Sequence, residues 1–281
     1  MRGFRIVAAS AGAALGVACL TVPADAATGG SLTVRTIDRH GRTVRTSVDL
    51  VNPSTEAEKQ FSSGKSKSLR KGRYALGVVI STPDDGMLGS QTLAARTVTI
   101  GSKHVDVTLD ARKGKRFSVS PRGATLGSLS KAAVCAGRSI LGQLDSDGRA
   151  MYLVPNTDRA LDFGYRASWV TGENGPFYWV SGSARGVPGG LVRDQAHLHF
   201  ATIRAKVTTK RSKRYASTLL MGTRDCPGGT DGWSYFSAPR TVTAYVTTGH
   251  WSGYVWNSRG VSNDVDGRFV AGHTYHVTFK A

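Results

Sequence analysis

Short runs in which apolar and polar residues alternate one by one recur along almost the whole chain. No long stretch repeats apolar residues at the three-to-four spacing of an amphipathic helix. This period-two pattern limits the chain to half-buried strands joined by turns. From Ser31, Leu32, Val34 and Thr36 fall on one strand face and Thr33 and Arg35 on the other. Asp38-Arg39-His40-Gly41 reads as a hairpin turn, Val44, Val48 and Leu50 as its return, and Asn52-Pro53-Ser54 as a stop. The polar stretch Glu56 to Lys67 reads as a loop. The clearest strand carries Leu69, Gly72, Tyr74, Leu76, Val78 and Ile80, with Arg70, Lys71 and Arg73 interleaved. Leu93–Ile100, His104–Asp110 and Arg116–Ser120 follow, and so many short strands without a helix predict a β-sandwich.

The second half continues in strands with larger aromatics. They are expected at Ser139–Gln143, Ala150–Val154, Leu161–Trp169, Phe177–Ser181, Ala196–Ala205, Tyr215–Thr223, Thr241–Thr247, Gly253–Trp256 and Tyr275–Lys280. Ser128–Ala136, with Gly137 as a stop, is a weak helix candidate. Breakers sit at Gly172-Glu-Asn-Gly175, Gly186-Val-Pro-Gly-Gly190 and Pro227-Gly-Gly229. The fold class that follows is all-β: two tandem β-sandwich-like domains, 27–120 and 121–281, after a signal peptide.

That signal peptide is read at 1–26. Arg2 and Arg5 form a positive start, Ile6 to Leu20 is uncharged and apolar, and Ala24-Asp25-Ala26 offers small residues for cleavage near Ala26. The apolar run falls short of the ~20 residues that span a bilayer as a helix, so stable membrane insertion is not expected. Cys19 raises a lipoprotein alternative, but Gly16 stands where a large aliphatic residue is wanted. The expected location is therefore secreted.

The formal net charge is +18, and basic residues outnumber acidic ones to a similar degree on either side of Ser120. Such a spread describes a generally polycationic surface rather than a dedicated nucleic-acid patch. Its expected partners are an anionic envelope polymer, a polysaccharide or a secreted protein, with no nucleic acid; high Arg content for solubility alone is the plainer account. Beyond the leader two cysteines remain, Cys135 and Cys226, which in an exported chain most simply form one disulfide. A loop of that length gives roughly 4–5 kcal/mol in the chain-entropy account.

The segment Leu69-Arg-Lys-Gly-Arg-Tyr-Ala-Leu76 resembles the L-x-x-G-x-Y-x-L signature of carboxypeptidase-regulatory-like and transthyretin-like sandwiches. That resemblance implies a non-catalytic spacer or adhesion unit, with Leu69, Tyr74 and Leu76 in the core. Thr108-Leu-Asp-Ala-Arg-Lys113, Phe163-Gly-Tyr165, Val187-Pro188 and Ala271-Gly-His-Thr-Tyr275 are similar to the β-rich accessory regions of secreted actinobacterial subtilisin-like serine peptidases. The peptidase's own Asp-Thr-Gly, His-Gly-Thr and Gly-Thr-Ser-Met segments are missing from the sequence, so the resemblance implies no peptidase activity. The chain would be a stand-alone or truncated relative of such an enzyme, or a binding module in its own right.

Few residues point to chemistry. The serines of Gly127-Ser128-Leu-Ser130 and Gly182-Ser183 lack a Gly-x-Ser-x-Gly elbow, although the members of a distant triad would meet only in the fold. His197-Leu198-His199 is the best metal candidate, because residues two apart on a strand share a face. Asp194, His250, His273 or His276 would have to supply a third ligand; the same spacing equally suits two half-exposed imidazoles opposite Leu198 and Phe200 in a core. An unrecognised metal protein or hydrolase is thus a third reading, and no cofactor is called for. All five tryptophans lie in the second half. Trp233, Trp251, Tyr254 and Trp256 are the candidate ligand platform of flat rings for sugars, and aromatics of a β domain also serve as core. Lys206, Lys210, Arg211, Lys213 and Arg214 gather at an expected hairpin tip as a solvated basic cluster.

Overall fold

A computed structural model describes residues 29–83, 88–123, 125, 128–146, 148–172, 175–209, 215–223, 226, 229–231, 235–258 and 260–280. The expected leader, Trp233, and the cluster members Lys210, Arg211, Lys213 and Arg214 lie outside the described residues. In chain order the strands are β1 (Gly30–Ile37), β2 (Thr43–Val44), β3 (Ser47–Asn52), β4 (Ala57–Ser62), β5 (Ser66–Leu69), β6 (Gly72–Thr82), β7 (Ser90–Ile100), β8 (His104–Asp110) and β9 (Lys115–Ser120). There follow β10 (Ser128–Ala136), β11 (Ser139–Asp145), β12 (Ala150–Leu153), β13 (Asp162–Val170), β14 (Phe177–Arg185), β15 (Leu191–Asp194), β16 (Phe200–Thr208) and β17 (Tyr215–Thr223). The last are β18 (Gly229–Asp231), β19 (Tyr235–Ala238), β20 (Arg240–Thr247), β21 (Gly249–Asn257), β22 (Gly260–Val261), β23 (Val265–Phe269) and β24 (Thr274–Lys280). The all-β expectation is met, and the only helical pieces among the described residues are two short 3-10 turns.

The strands form four sheets. In sheet I, β1 pairs with β2, β5 and, in parallel, β8. Sheet II runs β15-β9-β12-β7-β6-β3-β4, and sheet III runs β11-β10-β13-β14-β20-β16-β24. In sheet IV, β17 and β21 are central, with β18 and β19 against β17 and β22 and β23 against β21. The sheets do not divide at Ser120. Strands β12 and β15, from the C-terminal half, are hydrogen-bonded partners of β7 and β9 within sheet II.

Three apolar cores separate the four sheets, and strand parity assigns each residue to one of them. Along β6, Tyr74, Leu76, Val78 and Ile80 join Leu32, Val34, Val107 and Leu109 of sheet I. The opposite face of sheet II, with Ala75, Leu93, Ala95 and Phe117, packs on Ala132, Val134, Leu141, Phe163 and Trp169 of sheet III. A strand buried on both faces must be apolar almost continuously, which is why β6 reads as the strongest run in the sequence. Leu69, Tyr74 and Leu76 are all buried, as the resemblance to regulatory-like sandwiches implies.

Sheets II and III meet most closely at two glycines. A Cβ added to Gly77 would lie 2.3 Å from the carbonyl oxygen of Leu141, and one added to Gly142 would lie 2.7 Å from Leu93 Cδ1. Further along sheet III the packing changes sides. The opposite face, through Phe177, Trp179, Ile203, Val207, Val246 and Phe279, meets Leu219, Met221, Trp251 and Val255 of sheet IV.

Three expectations are corrected by this architecture. The stretch read as a loop from Glu56 to Lys67 contains β4 and the start of β5; β4 is an edge strand of sheet II, mostly exposed, and so lacks apolar alternation. The helix candidate Ser128–Ala136 is β10, a central strand whose small Ala residues are fully buried between neighbouring sheets. The strand expected from Ala196 starts at Phe200, because Gln195–His197 form a 3-10 turn capped by Asp194.

Candidate functional site

Sheet IV turns an alternating strand, β21, toward solvent. Trp251, Gly253, Val255 and Asn257 point into the core, while His250, Ser252, Tyr254 and Trp256 face out. Trp251 is 1% exposed and its indole N–H donates to the Thr247 carbonyl at 2.8 Å. It is therefore a core anchor and not part of a platform with Tyr254 and Trp256, which a two-residue spacing places on the other face. Trp256 is 49% exposed and stands opposite Val261, itself 58% exposed, while Tyr254 stands opposite Leu220. Two rings two residues apart on a strand are roughly 6.7 Å apart along it. The far end of the same face is polar: His250 Nδ1 lies 3.3 Å from Asp266 Oδ1, and Arg268 is His250's cross-strand neighbour. Flat apolar rings beside hydrogen-bonding groups suit a ligand with one apolar face and a polar rim, as a pyranose has.

Sheet III presents a different surface. The face that β10, β13 and β14 bury against sheet II continues across β20, β16 and β24, where no sheet of the described residues covers it. At the edge of the covered part, Trp169 stacks on Tyr178 at 5.4 Å, Tyr178 on Tyr245 at 4.8 Å, and Phe200 meets Tyr178 edge-on at 5.4 Å. Burial pushes the Tyr178 hydroxyl pKa up, with Tyr245 adding to the rise and a hydrogen bond with Gln195 opposing it. Beyond this aromatic corner the register sets Thr202 between Tyr245 and Thr274, Arg204 between Thr243 and His276, and Lys206 between Thr241 and Thr278.

The histidines singled out from sequence do not assemble. His197 ends the 3-10 turn and holds Asp194 through Nδ1–Oδ1 at 2.6 Å, and His199 lies exposed just before β16. That hydrogen bond from His197 holds the Asp194 carboxyl below the ordinary carboxylate range. Among the described residues no three His, Cys, Asp or Glu side chains gather as a metal-binding group.

The two cysteines do pair. Cys135 on β10 and Cys226, after β17, form a disulfide with a Cα–Cα distance of 6.2 Å across 91 residues of sequence. Beside it is an open cavity of about 570 Å³ lined by Asp162, Phe163, Ser183, Arg185 and Cys226; within it Arg185 is bound to Asp162 at 3.1 Å.

One arrangement escapes sequence reading altogether. Parallel pairing of β1 with β8 brings Ser31 Oγ within 2.7 Å of His104 Nδ1, and His104 Nε2 within 3.4 Å of Asp106 Oδ2. Ser31 and His104 are 73 residues apart, so no local motif signals them. The hydroxyl has a base in reach, but His104 and Asp106 are open to solvent and Arg35 also contacts Asp106, at 3.6 Å.

No family model matches this chain, and no curated protein matches it. Among solved structures it is similar to the Bacillus anthracis TIE protein at 7% identity and a TM-score of 0.23, over 90% of this chain and 50% of that one. It is also similar to a major pilin subunit of Bacillus cereus, at 7% identity and a TM-score of 0.22, over 90% of this chain and 99% of the pilin. A streptococcal ancillary pilin gives 8% identity and a TM-score of 0.19, over 90% and 98%. The chain thus spans half the length of the first and nearly all of the other two. None of the three is described as belonging to a subtilisin-like peptidase, and the likeness carries no functional argument.

Proposed function

We propose that this protein is an exported, non-catalytic binding module whose ligand is a polysaccharide of the cell envelope, held on the outer face of sheet IV. The observation that carries this reading is the pairing of Trp256 with Val261, two large apolar side chains about half exposed beside Tyr254 on a regular strand face. Exposed apolar side chains gathered beside polar ones are how interaction sites stand out on folded proteins. Export is supported by the leader pattern of 1–26 and by the disulfide, a bond that persists in oxidising compartments. The test is retention on peptidoglycan and on chitin at low salt. Wild type is retained, and Trp256→Ala with Tyr254→Ala weakens retention at least tenfold, which corresponds to about 1.4 kcal/mol. Absence of retention on either matrix would refute the proposal.

A second reading keeps the kinship with accessory regions of secreted peptidases. It is favoured by the burial of Leu69, Tyr74 and Leu76 where the regulatory-like signature wants them. An adjacent reading frame encoding a catalytic domain is its expected sign, and an isolated gene counts against it.

A further inference from the structure

We propose that the open face of β20, β16 and β24 is a second binding face, for a linear anionic envelope polymer. Four neighbouring strands of sheet III, β14, β20, β16 and β24, contain no Asp or Glu. On their open face stand Arg204, Lys206, His276 and Lys280, all exposed. None of these four forms an ion pair with a described residue. Several cations elsewhere are paired with a carboxylate: Arg35 with Asp106, Arg42 with Asp38, Arg73 with Asp158, Arg112 with Asp110 and Lys131 with Asp145. What this face adds is regularity: four exposed cations stand on two adjacent strands with no carboxylate on either.

The sheet sets the spacing of the charges. Arg204 and Lys206 are two residues apart on β16, roughly 6.7 Å, and Lys280 continues the row one step on, beside Thr208 on β24. Arg204 Nη1 donates to Thr243 Oγ1 at 2.8 Å, which lays its guanidinium across the strands. Thr202, Thr241, Thr243, Thr274 and Thr278 supply hydroxyls between the cations, and the half-buried rings of Tyr178, Tyr245 and Phe200 close one end. An extended polymer with phosphate or carboxylate groups along its length meets charge, hydroxyl and ring in turn. This face is on the side of the sheet III and sheet IV sandwich opposite Trp256, so both ligands can be held together; the inference does not rest on the Trp256 platform.

The experiment measures binding of the intact protein to polyphosphate and to polygalacturonate, with neutral dextran as control. With three cations engaged, affinity falls roughly twentyfold between 50 and 200 mM salt, by analogy with counterion release from single-stranded nucleic acid. Arg204→Gln with Lys206→Gln and Lys280→Gln weakens binding at least tenfold and flattens the salt dependence. The control variant Lys59→Gln with Lys71→Gln and Lys103→Gln, which removes the same charge from exposed positions elsewhere, changes binding less than twofold. Phosphate-selective or carboxylate-selective binding identifies the anionic group. Equal weakening by both triple variants overturns the proposal, as does unchanged binding by the first or a preference for single-stranded DNA over both polymers. Retention on peptidoglycan or chitin that depends on Trp256 is unaffected by the first variant, so the two proposals fail separately.

Discussion

The close approach of sheets II and III at Gly77 makes a quantitative prediction. In Gly77→Ala the new methyl would lie 2.3 Å from the Leu141 carbonyl oxygen and 2.7 Å from Leu141 Cβ. Comfortable contacts between such atoms are about 3.5–4.0 Å, so the sheets must separate by about 1 Å. The obstacle is the backbone of β11, which cannot swing aside as a side-chain tip would. Overpacking of this kind costs about 1–3 kcal/mol, and the backbone clash places Gly77→Ala at the upper end. At roughly 2–4 °C per kcal/mol for a chain of this size, the melting midpoint falls by about 6–12 °C. Gly267→Ala is the matched control, since a Cβ there meets nothing within 4 Å and a strand glycine replaced by Ala gains about 0.5–1 kcal/mol. The assay is urea and thermal unfolding followed by tryptophan fluorescence. Every tryptophan lies in the C-terminal half, whereas Gly77 is in the N-terminal half, so a lowered fluorescence midpoint also reports that both halves unfold together. An unchanged midpoint, or similar behaviour of the two variants, would refute the reasoning.

The two outer and inner tryptophans of β21 should separate stability from binding: Trp251→Ala costs about 3–5 kcal/mol, while Trp256→Ala stays within about 0.5 kcal/mol and loses glycan retention. Reduction of Cys135–Cys226 should lower stability by about 2–5 kcal/mol, seen as a lower urea midpoint with reductant present. Burial would raise the Asp38 carboxyl, but hydrogen bonds from the Arg42 backbone and side chain and from the His40 N–H outweigh it and hold it below its ordinary value. Its contribution is therefore full above the unfolded carboxylate pKa, about 3.9, and is lost as pH falls through the lower folded value. Asp38→Asn should be less stable at neutral pH and show a shallower loss below pH about 4, measured by melting midpoints across pH. For the non-catalytic reading, Ser31 should resist a fluorophosphonate probe, and labelling abolished by His104→Ala would overturn it.

Strands with complete alternation were legible in both halves: β8 and β17 match the expected bounds, and the expected run from Leu69 to Ile80 is divided at Arg70 and Lys71 between the end of β5 and β6. Strand β4 was hidden because an exposed edge strand has no apolar side to display. Strand β10 was hidden for the opposite reason. Its Ala-rich sequence suits a helix by propensity, and only the neighbouring strands β11 and β13 make small residues the right choice for a buried strand. The division at Ser120 could not be read as a continuous sheet, because the pairing of β12 with β7 joins residues more than fifty positions apart. At the candidate sites, the outward pairing of Tyr254 and Trp256 follows from spacing alone. Trp251 differs only by parity, and the cationic face of sheet III exists only once β16 and β24 lie side by side.

The Cys135–Cys226 bond has a mechanical consequence. It closes 91 residues that include β11 through β17, about 300 Å of contour at full extension. If the protein were pulled from its ends, that length would be withheld from the stretch while the bond remained oxidised. The strands inside the loop would leave the load path, and tension would pass through the bond between β10 and the segment after β17. Single-molecule extension should therefore lengthen by about 300 Å on reduction, making the disulfide a limit on how far the chain can give under load.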